Sequence, residues 1–314
     1  MKYGFGIDVG GTTVKLAYFD ENGKMLDKWE IPTDTSENGK NIAKDIADSV
    51  ENYLVTNQIP REDIIGIGMG VPGPVSSDGV VHTCINLGWG VLNVEQEMSQ
   101  LTGFPVKAGN DATVAALGEY WVGGGKGYEN MVMITLGTGV GGGIVVEGKV
   151  LRGSHGAFGE IGHMTMNRKE TLVCNCGKRG CVELYCSATG IVRTAKRYLE
   201  KTDAPSALRD IENLTCKDVF DTAAKGDAVA EQILDIVYHY LAEFIGNLCV
   251  TVDPEIVVIG GGVSKAGQPL LDGINQYLKE YQIYATRNVG LALATLGNDA
   301  GAYGACKLVL DACK

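Results

Sequence analysis

Apolar positions along the chain fall into two recurring patterns. Short apolar runs at Tyr3–Ile7, Ile64–Met69, Met131–Leu136 and Glu255–Ile259 each end in a glycine-rich turn, which predicts buried strands. Between them stand stretches with helical spacing. Ile42, Ile46, Val50, Tyr53 and Leu54 form one apolar stripe opposite Lys44, Asp45, Asp48, Glu51 and Asn52, the mark of an amphipathic helix. Ala228–Val250, Leu270–Tyr281 and Asp299–Ala312 also predict helices, and Pro105–Gly109 a strand that runs into a helix over Ala112–Tyr120. Strands alternating with helices predict an α/β protein. A chain of 314 residues exceeds the usual single domain, so two lobes are expected. The break is placed after Ala112–Tyr120, near Gly123-Gly124-Gly125, and polar Lys201–Asn213 is read as a surface excursion.

Composition narrows the function classes. Hydrophobic residues at 45% and charged residues at 21% are near globular averages, which excludes a disordered chain, collagen or a coiled coil. No uninterrupted apolar run reaches the roughly 18 residues of a membrane span. An aspartate at position 8 interrupts any signal-peptide core, so a cytoplasmic protein without membrane attachment is expected. The charge of −11 argues against a nucleic-acid partner. Nine cysteines, unevenly spaced, do not form a disulfide framework in that setting. Glycine changes the picture most: its 44 residues are about twice average usage, and they cluster.

Two clusters resemble each other. Ile7-Asp8-Val9-Gly10-Gly11-Thr12-Thr13-Val14-Lys15 and Leu136-Gly137-Thr138-Gly139-Val140-Gly141-Gly142 each join an apolar strand to a second β-rich run. Glycine admits a ligand close to the backbone, and consecutive N–H groups make an anion nest suited to a polyphosphate. Gly137-x-Gly139-x-x-Gly142, with Glu160 as ribose acid, also fits the dinucleotide fingerprint. That fingerprint must open a helix, whereas Ile144–Val150 reads as strand and hairpin turn, so the Rossmann reading is rejected. No Gly-Lys-Ser/Thr triplet occurs, which excludes a Walker A loop. A third run, Gly260-Gly261-Gly262, closes a strand where a nucleoside could meet the backbone.

Asn110-Asp111 stands before a helix, where both residue types cap well. Its functional reading makes Asp111 a general base on a substrate hydroxyl, kept ionised by the helix N-terminus. Phosphoryl transfer asks mainly for orientation, so an ionised aspartate suffices. Cys174-x-Cys176-Gly177-x-x-Gly180-Cys181 places three thiols within eight residues, the pattern of a structural zinc loop. His163 or Cys186 completes the set. Four protein ligands leave no open position for catalysis. Glu160, His163 and Glu183 bracket the loop, and carboxylates can accept bonds from vicinal hydroxyls of a sugar.

Taken together, Asp8-Val9-Gly10-Gly11-Thr12, Asn110-Asp111, Gly137-Thr138-Gly139, Glu160-x-Gly-His163 and Cys174-x-Cys-Gly-x-x-Gly-Cys181-x-Glu183 resemble the ROK sugar kinases over essentially the whole chain. Asn86-Leu87-Gly88-Trp89 and Ser187–Arg193 look most like the glucokinase branch of Gram-positive bacteria. The resemblance implies an actin-like, hexokinase-like (ribonuclease H-like) fold with two lobes and a cleft. The small lobe would be 1–118 plus 299–314, the large lobe 119–298. It implies MgATP-dependent phosphorylation of glucose at the 6-hydroxyl, with Asp111 as base. Gly73, Asn86, Asn110, Glu160, His163 and Glu183 would hold the sugar. Gly10, Gly11, Thr12, Thr13 and Lys15, with Gly137, Thr138 and Gly139, would hold phosphates. Gly260, Gly261 and Gly262 would face the nucleoside, and Asp8 would orient Mg2+ through water. His163, Cys174, Cys176 and Cys181 would bind structural Zn2+, which favours His163 over Cys186. Homodimers are common in the family. Its repressors carry a winged helix ahead of the first phosphate loop; with seven residues before Asp8, that module is expected to be absent. Another hexose or N-acetylhexosamine kinase, such as an N-acetylmannosamine kinase, and a sugar sensor without turnover are the competing expectations.

Overall fold

The structure, a computed structural model, describes residues 1–313. Lys314, the last residue of the predicted closing segment, lies outside the described residues. The strands are β1 (Tyr3–Val9), β2 (Thr13–Asp20), β3 (Met25–Pro32), β4 (Ile64–Val71), β5 (Val80–Val81), β6 (Leu92–Asn93), β7 (Val106–Asn110), β8 (Met131–Leu136), β9 (Val140–Val146), β10 (Lys149–Val150), β11 (Ile256–Gly260) and β12 (Gly290–Leu293). The helices are α1 (Ile42–Thr56), α2 (Val94–Thr102), α3 (Asp111–Val122), α4 (Glu183–Cys186), α5 (Ala188–Leu199), α6 (Cys216–Ala223), α7 (Ala228–Val252), α8 (Gln268–Tyr281) and α9 (Ala300–Ala312). The chain separates into two compact units. One holds 1–127, 143–159 and the described residues from 295 onward; the other holds 128–142 and 160–294.

The first unit is built on a five-stranded sheet of order β3-β2-β1-β4-β7. β1 and β2 pair antiparallel with Asp8 opposite Lys15, and β1, β4 and β7 run parallel. On one face Phe5, Ile7, Leu16, Ile67 and Met69 pack against the apolar stripe of α1. The other face is lined by glycine, and α9 lies on it. A Cβ at Gly6 would stand 1.9 Å from the Ala302 carbonyl oxygen, and one at Gly68 1.6 Å from that of Ala305. Any side chain there would lift α9 off the sheet, which accounts for the Gly-x-Gly alternation inside apolar strands.

The second unit rests on β8, β11 and β12, which run parallel, within a sheet of order β10-β9-β8-β11-β12. Its central helix α7 starts at Asp227, whose carboxylate accepts from the Val229 and Ala230 N–H groups. Among the described residues α7 is the one helix long and apolar enough to cross a membrane by length and composition. Its Ile233, Val237, Leu241, Phe244, Ile245 and Leu248 are buried, the face of a core helix.

The predicted strands and helices all occur, with ends shifted by at most two residues. The 143–159 segment returns to the first unit because Gly143 packs on α3: a Cβ there would lie 2.4 Å from that of Ala116. Lys201–Asn213 carries only a short 3-10 turn over Ala207–Asp210.

Candidate active site

In the first unit, the hairpin turn between β1 and β2 carries Gly10–Thr12. The Gly10 N–H donates to the Thr13 carbonyl at 3.0 Å, closing the turn, and the turn leaves Gly11 and Thr12 exposed. Thr33, just past β3, fastens the loop twice: its hydroxyl donates to the Gly10 carbonyl at 2.7 Å and its N–H to the Thr12 carbonyl at 3.0 Å. Asp8 sits beneath the loop, against Gly301 of α9, where a Cβ would lie 2.8 Å from the carboxyl carbon. Lys15 Nζ stands 3.8 Å from Asp8 and donates to the Asn298 carbonyl at 3.3 Å. Its ammonium is thereby held at Asp8 and the turn that leads into α9. Burial pushes the Asp8 carboxyl above its ordinary range; Lys15 opposes this and the Asp111 charge adds to it.

Asn110 ends β7 and caps α3. Its Oδ1 accepts from the Thr113 N–H at 3.2 Å while its Nδ2 donates to the Gly73 carbonyl at 3.2 Å. Gly73 has φ +97°, so a glycine is what lets that carbonyl turn toward Asn110. Asp111 follows as the first helical residue, solvent-accessible, its Oδ1 accepting from the Ala112 N–H at 2.8 Å. The helix end was expected to hold this carboxylate ionised. It does donate, but desolvation by the surrounding protein is the larger influence and the net shift is upward. Asn86 lies in an exposed turn whose carbonyl would be 3.4 Å from a Cβ on Gly11. Gly10, Gly11, Asn86, Gly73, Asn110 and Asp111 thus belong to one unit, with Asp8 and Lys15.

In the second unit, Gly137–Gly139 join β8 to β9, and a strand follows them, as the rejection of the dinucleotide reading requires. The Thr189 hydroxyl donates to the Thr138 carbonyl at 2.9 Å and the Ala188 N–H to the Gly137 carbonyl at 2.8 Å. Glu183 lies under the loop: its Oε2 accepts from the Val140 N–H at 3.0 Å, and a Cβ on Gly139 would meet that oxygen at 2.3 Å. Gly261, with φ +83°, presses on strand β8, since a Cβ there would be 2.5 Å from the Leu136 carbonyl oxygen. Gly262 opens to solvent.

The ligand atoms of His163, Cys174, Cys176 and Cys181 all lie within 4.8 Å of one another. Cys174 Sγ is 3.7 Å from His163 Nδ1, and Cys176 Sγ is 3.6 Å from Cys181 Sγ. Tetrahedral zinc with Zn–S bonds of ~2.3 Å sets its sulfurs ~3.8 Å apart, so these four residues fit a zinc ion. The other ring nitrogen, Nε2, points to Glu160 at 3.6 Å, and Glu183 Oε1 is 3.6 Å from Cys174 Sγ. The His163 ring thus joins the thiol cluster to Glu160, and Cys174 joins it to Glu183. Cys186 is fully buried outside the cluster, and burial drives its thiol pKa up. Thr33 and Thr189 fasten the two glycine loops; Thr33 carries no signal in the sequence, and although Thr189 lies in the Ser187–Arg193 stretch, nothing there pairs it with Thr138, 51 residues away.

Two five-stranded sheets bearing matched glycine hairpins, with α9 closing the first unit, define an actin-like, hexokinase-like fold. A sequence profile of the ROK family matches residues 4–312, and the chain belongs to that family. It is 44% identical to a glucokinase of Halalkalibacterium halodurans over 97% of this chain and 94% of that protein. Among solved structures it resembles a ROK family glucokinase from Streptomyces griseus in complex with glucose and AMPPNP, at TM-score 0.75 and 30% identity, covering 98% of each chain. A ROK hexokinase from Thermus thermophilus matches at TM-score 0.80 and 30% identity, over 98% of this chain and 97% of that one.

Proposed function

We propose that the protein is an ATP-dependent glucokinase that transfers the γ-phosphoryl group of MgATP to the 6-hydroxyl of glucose. What carries the reading is the Asn110–Asp111 pair. Asn110 is fixed at both ends of its amide, and the adjoining carboxylate stays accessible, in a chain that parallels a glucokinase along nearly its whole length. In this reading Asp111 accepts the proton of the attacking hydroxyl. Gly73, Asn86, Asn110, Glu160, His163 and Glu183 hold and orient the sugar, because transfer through a loose transition state depends chiefly on alignment. Gly10, Gly11, Thr12 and Thr13 and Gly137, Thr138 and Gly139 present N–H and hydroxyl donors to the phosphates; Lys15 adds positive charge beside Asp8. Gly260, Gly261 and Gly262 face the nucleoside. Asp8 would orient Mg2+, and the ion would supply positive charge to offset that on the phosphates of the co-substrate.

His163, Cys174, Cys176 and Cys181 would hold a structural Zn2+, and with Nδ1 as ligand the His163 ring would be kept with Nε2 toward Glu160. Residues 1–118 with 299–314 supply the base and the first phosphate loop; 119–298 supply the second loop, the zinc loop and the nucleoside contacts. A homodimer acting in cytoplasmic glycolysis completes the reading, on family resemblance.

The test is a coupled kinase assay with MgATP against glucose, mannose, fructose, N-acetylmannosamine and N-acetylglucosamine, with Asp111→Asn as control. Preference for glucose, with turnover lowered by orders of magnitude in the variant while glucose binding survives, supports the assignment. Near-normal turnover of Asp111→Asn removes the base, and preference for an N-acetylated sugar removes glucose as substrate.

A further inference from the structure

The loop 84–91 carries Asn86 and is locked to a second loop by one indole. Trp89 is buried, at 5% exposure, and its Nε1–H donates to the Gly39 carbonyl at 2.9 Å. Backbone bonds in both directions join Cys84 and Trp89, N to O at 2.9 and 3.1 Å, and tie off the turn Ile85–Leu87 that presents Asn86.

The two loops interlock through glycines with no room to spare. A Cβ on Gly39 would stand 2.2 Å from the Leu87 carbonyl oxygen, and one on Gly88 2.9 Å from Asn38 Cα. The residues leading into Gly39 are unusual. Glu37 (φ 48°, ψ 41°) and Asn38 (φ 60°, ψ 35°) are both left-handed, a conformation that non-glycine residues rarely adopt and that persists where the surroundings enforce it. The same segment starts at Thr33, whose bonds fasten Gly10 and Thr12 of the first glycine loop. Residues 33–39 therefore run from the first glycine loop to the turn bearing Asn86, and the indole bond is where they are fixed to it.

We propose that Trp89 is a positioning residue for sugar binding: its bond to Gly39 sets where Asn86 stands. This rests on the reading of Asn86 as a sugar contact. The experiment is steady-state kinetics of the full chain for Trp89→Phe, Asn86→Ala and the double variant. Trp89→Phe keeps the ring packing and leaves the Gly39 carbonyl without its donor. The expected result is a KM for glucose raised about tenfold, the scale of one buried hydrogen bond lost, with kcat and the KM for MgATP within about twofold of the parent. Asn86→Ala should raise the same KM, and the double variant should be no worse than Asn86→Ala alone.

An unchanged KM in Asn86→Ala would show that Asn86 makes no sugar contact, and the reading beneath the proposal falls. A raised KM in Asn86→Ala with none in Trp89→Phe, or two effects that multiply in the double variant, would overturn the positioning role itself. Should Trp89→Phe fail to fold, amide exchange on the parent protein decides: glucose should protect 36–40 and 84–91 together, and protection of 84–91 alone overturns the coupling.

Discussion

Glu119, in the last turn of α3, is fully buried, and three backbone N–H groups converge on its carboxylate: Gly124 at 2.7 Å, Leu296 at 2.8 Å and Thr295 at 3.0 Å. These donors lie where the chain leaves the first unit, after α3, and where it returns to it at 295. Asn298 and Asp299, a few residues on, hold Lys15 and Lys28, so the anchored segment also supports the first glycine loop. Replacing Glu119 by alanine strands all three donors. Each hydrogen bond to a charged group contributes about 1.5–3 kcal/mol, and water entering the new cavity recovers part of the total, so a net loss of about 4–5 kcal/mol is expected. With an unfolding entropy of roughly 2.1 cal/mol/K per residue over the chain, that is about 7 °C in Tm. Glu119→Gln, which keeps one acceptor oxygen and turns an amide N–H toward the donors, should fall between. Thermal unfolding followed by circular dichroism at pH 7 is the assay. A Glu119→Ala midpoint within about 1 °C of the parent would show that the carboxylate does not hold these segments.

Three further outcomes follow from the site and its surroundings. Since Asp111 has its pKa raised, chiefly by desolvation from the surrounding protein, kcat/KM should fall as pH drops along an acid limb that lies above the ordinary carboxylate pKa; an acid limb at the ordinary carboxylate pKa, seen in a pH–rate profile, refutes this. Cys176→Ala should release zinc, measured by a chelator dye after denaturation, and raise the KM for glucose, whereas unchanged metal content shows that the cluster is not the zinc site. Glu170 accepts from Arg197 at 2.7 and 3.2 Å, and with that bond as the leading cause its pKa drops to about 2. The pair therefore stabilises the fold above the unfolded carboxylate pKa near 4.5, and this is lost as pH falls toward 2. Arg197→Ala should cost at most about 3 kcal/mol at pH 7, less the screening at a half-exposed guanidinium, with the deficit vanishing in acid; a deficit constant from pH 7 to pH 2 contradicts it.

What the sequence determined by itself is everything governed by neighbours in the chain. The stripe from Ile42 to Leu54 became α1, Asn110 capped α3, and the runs after Gly139 and Gly11 continued as strands because β-branched residues follow each turn. The thiol knuckle was legible for the same reason: glycines at 177 and 180, both left-handed, bend a short loop so that three sulfurs meet. Spacing alone leaves Cys186 as a competitor to His163 for the fourth position, and the family resemblance favours His163; the fold puts the His163 ring beside Cys174 and buries Cys186 elsewhere. The upward direction of the Asp111 pKa is not legible from its place at a helix end, since a helix end is local and desolvation comes from everything packed around the carboxylate. The helix on the glycine face of the first sheet, the threonines that fasten each glycine loop, the carboxylate of Glu119 and the Trp89–Gly39 lock all join residues far apart in sequence. Hydrophobic spacing and caps act over a few residues, whereas hydrogen bonds and close backbone approach depend on which surfaces the tertiary structure brings together.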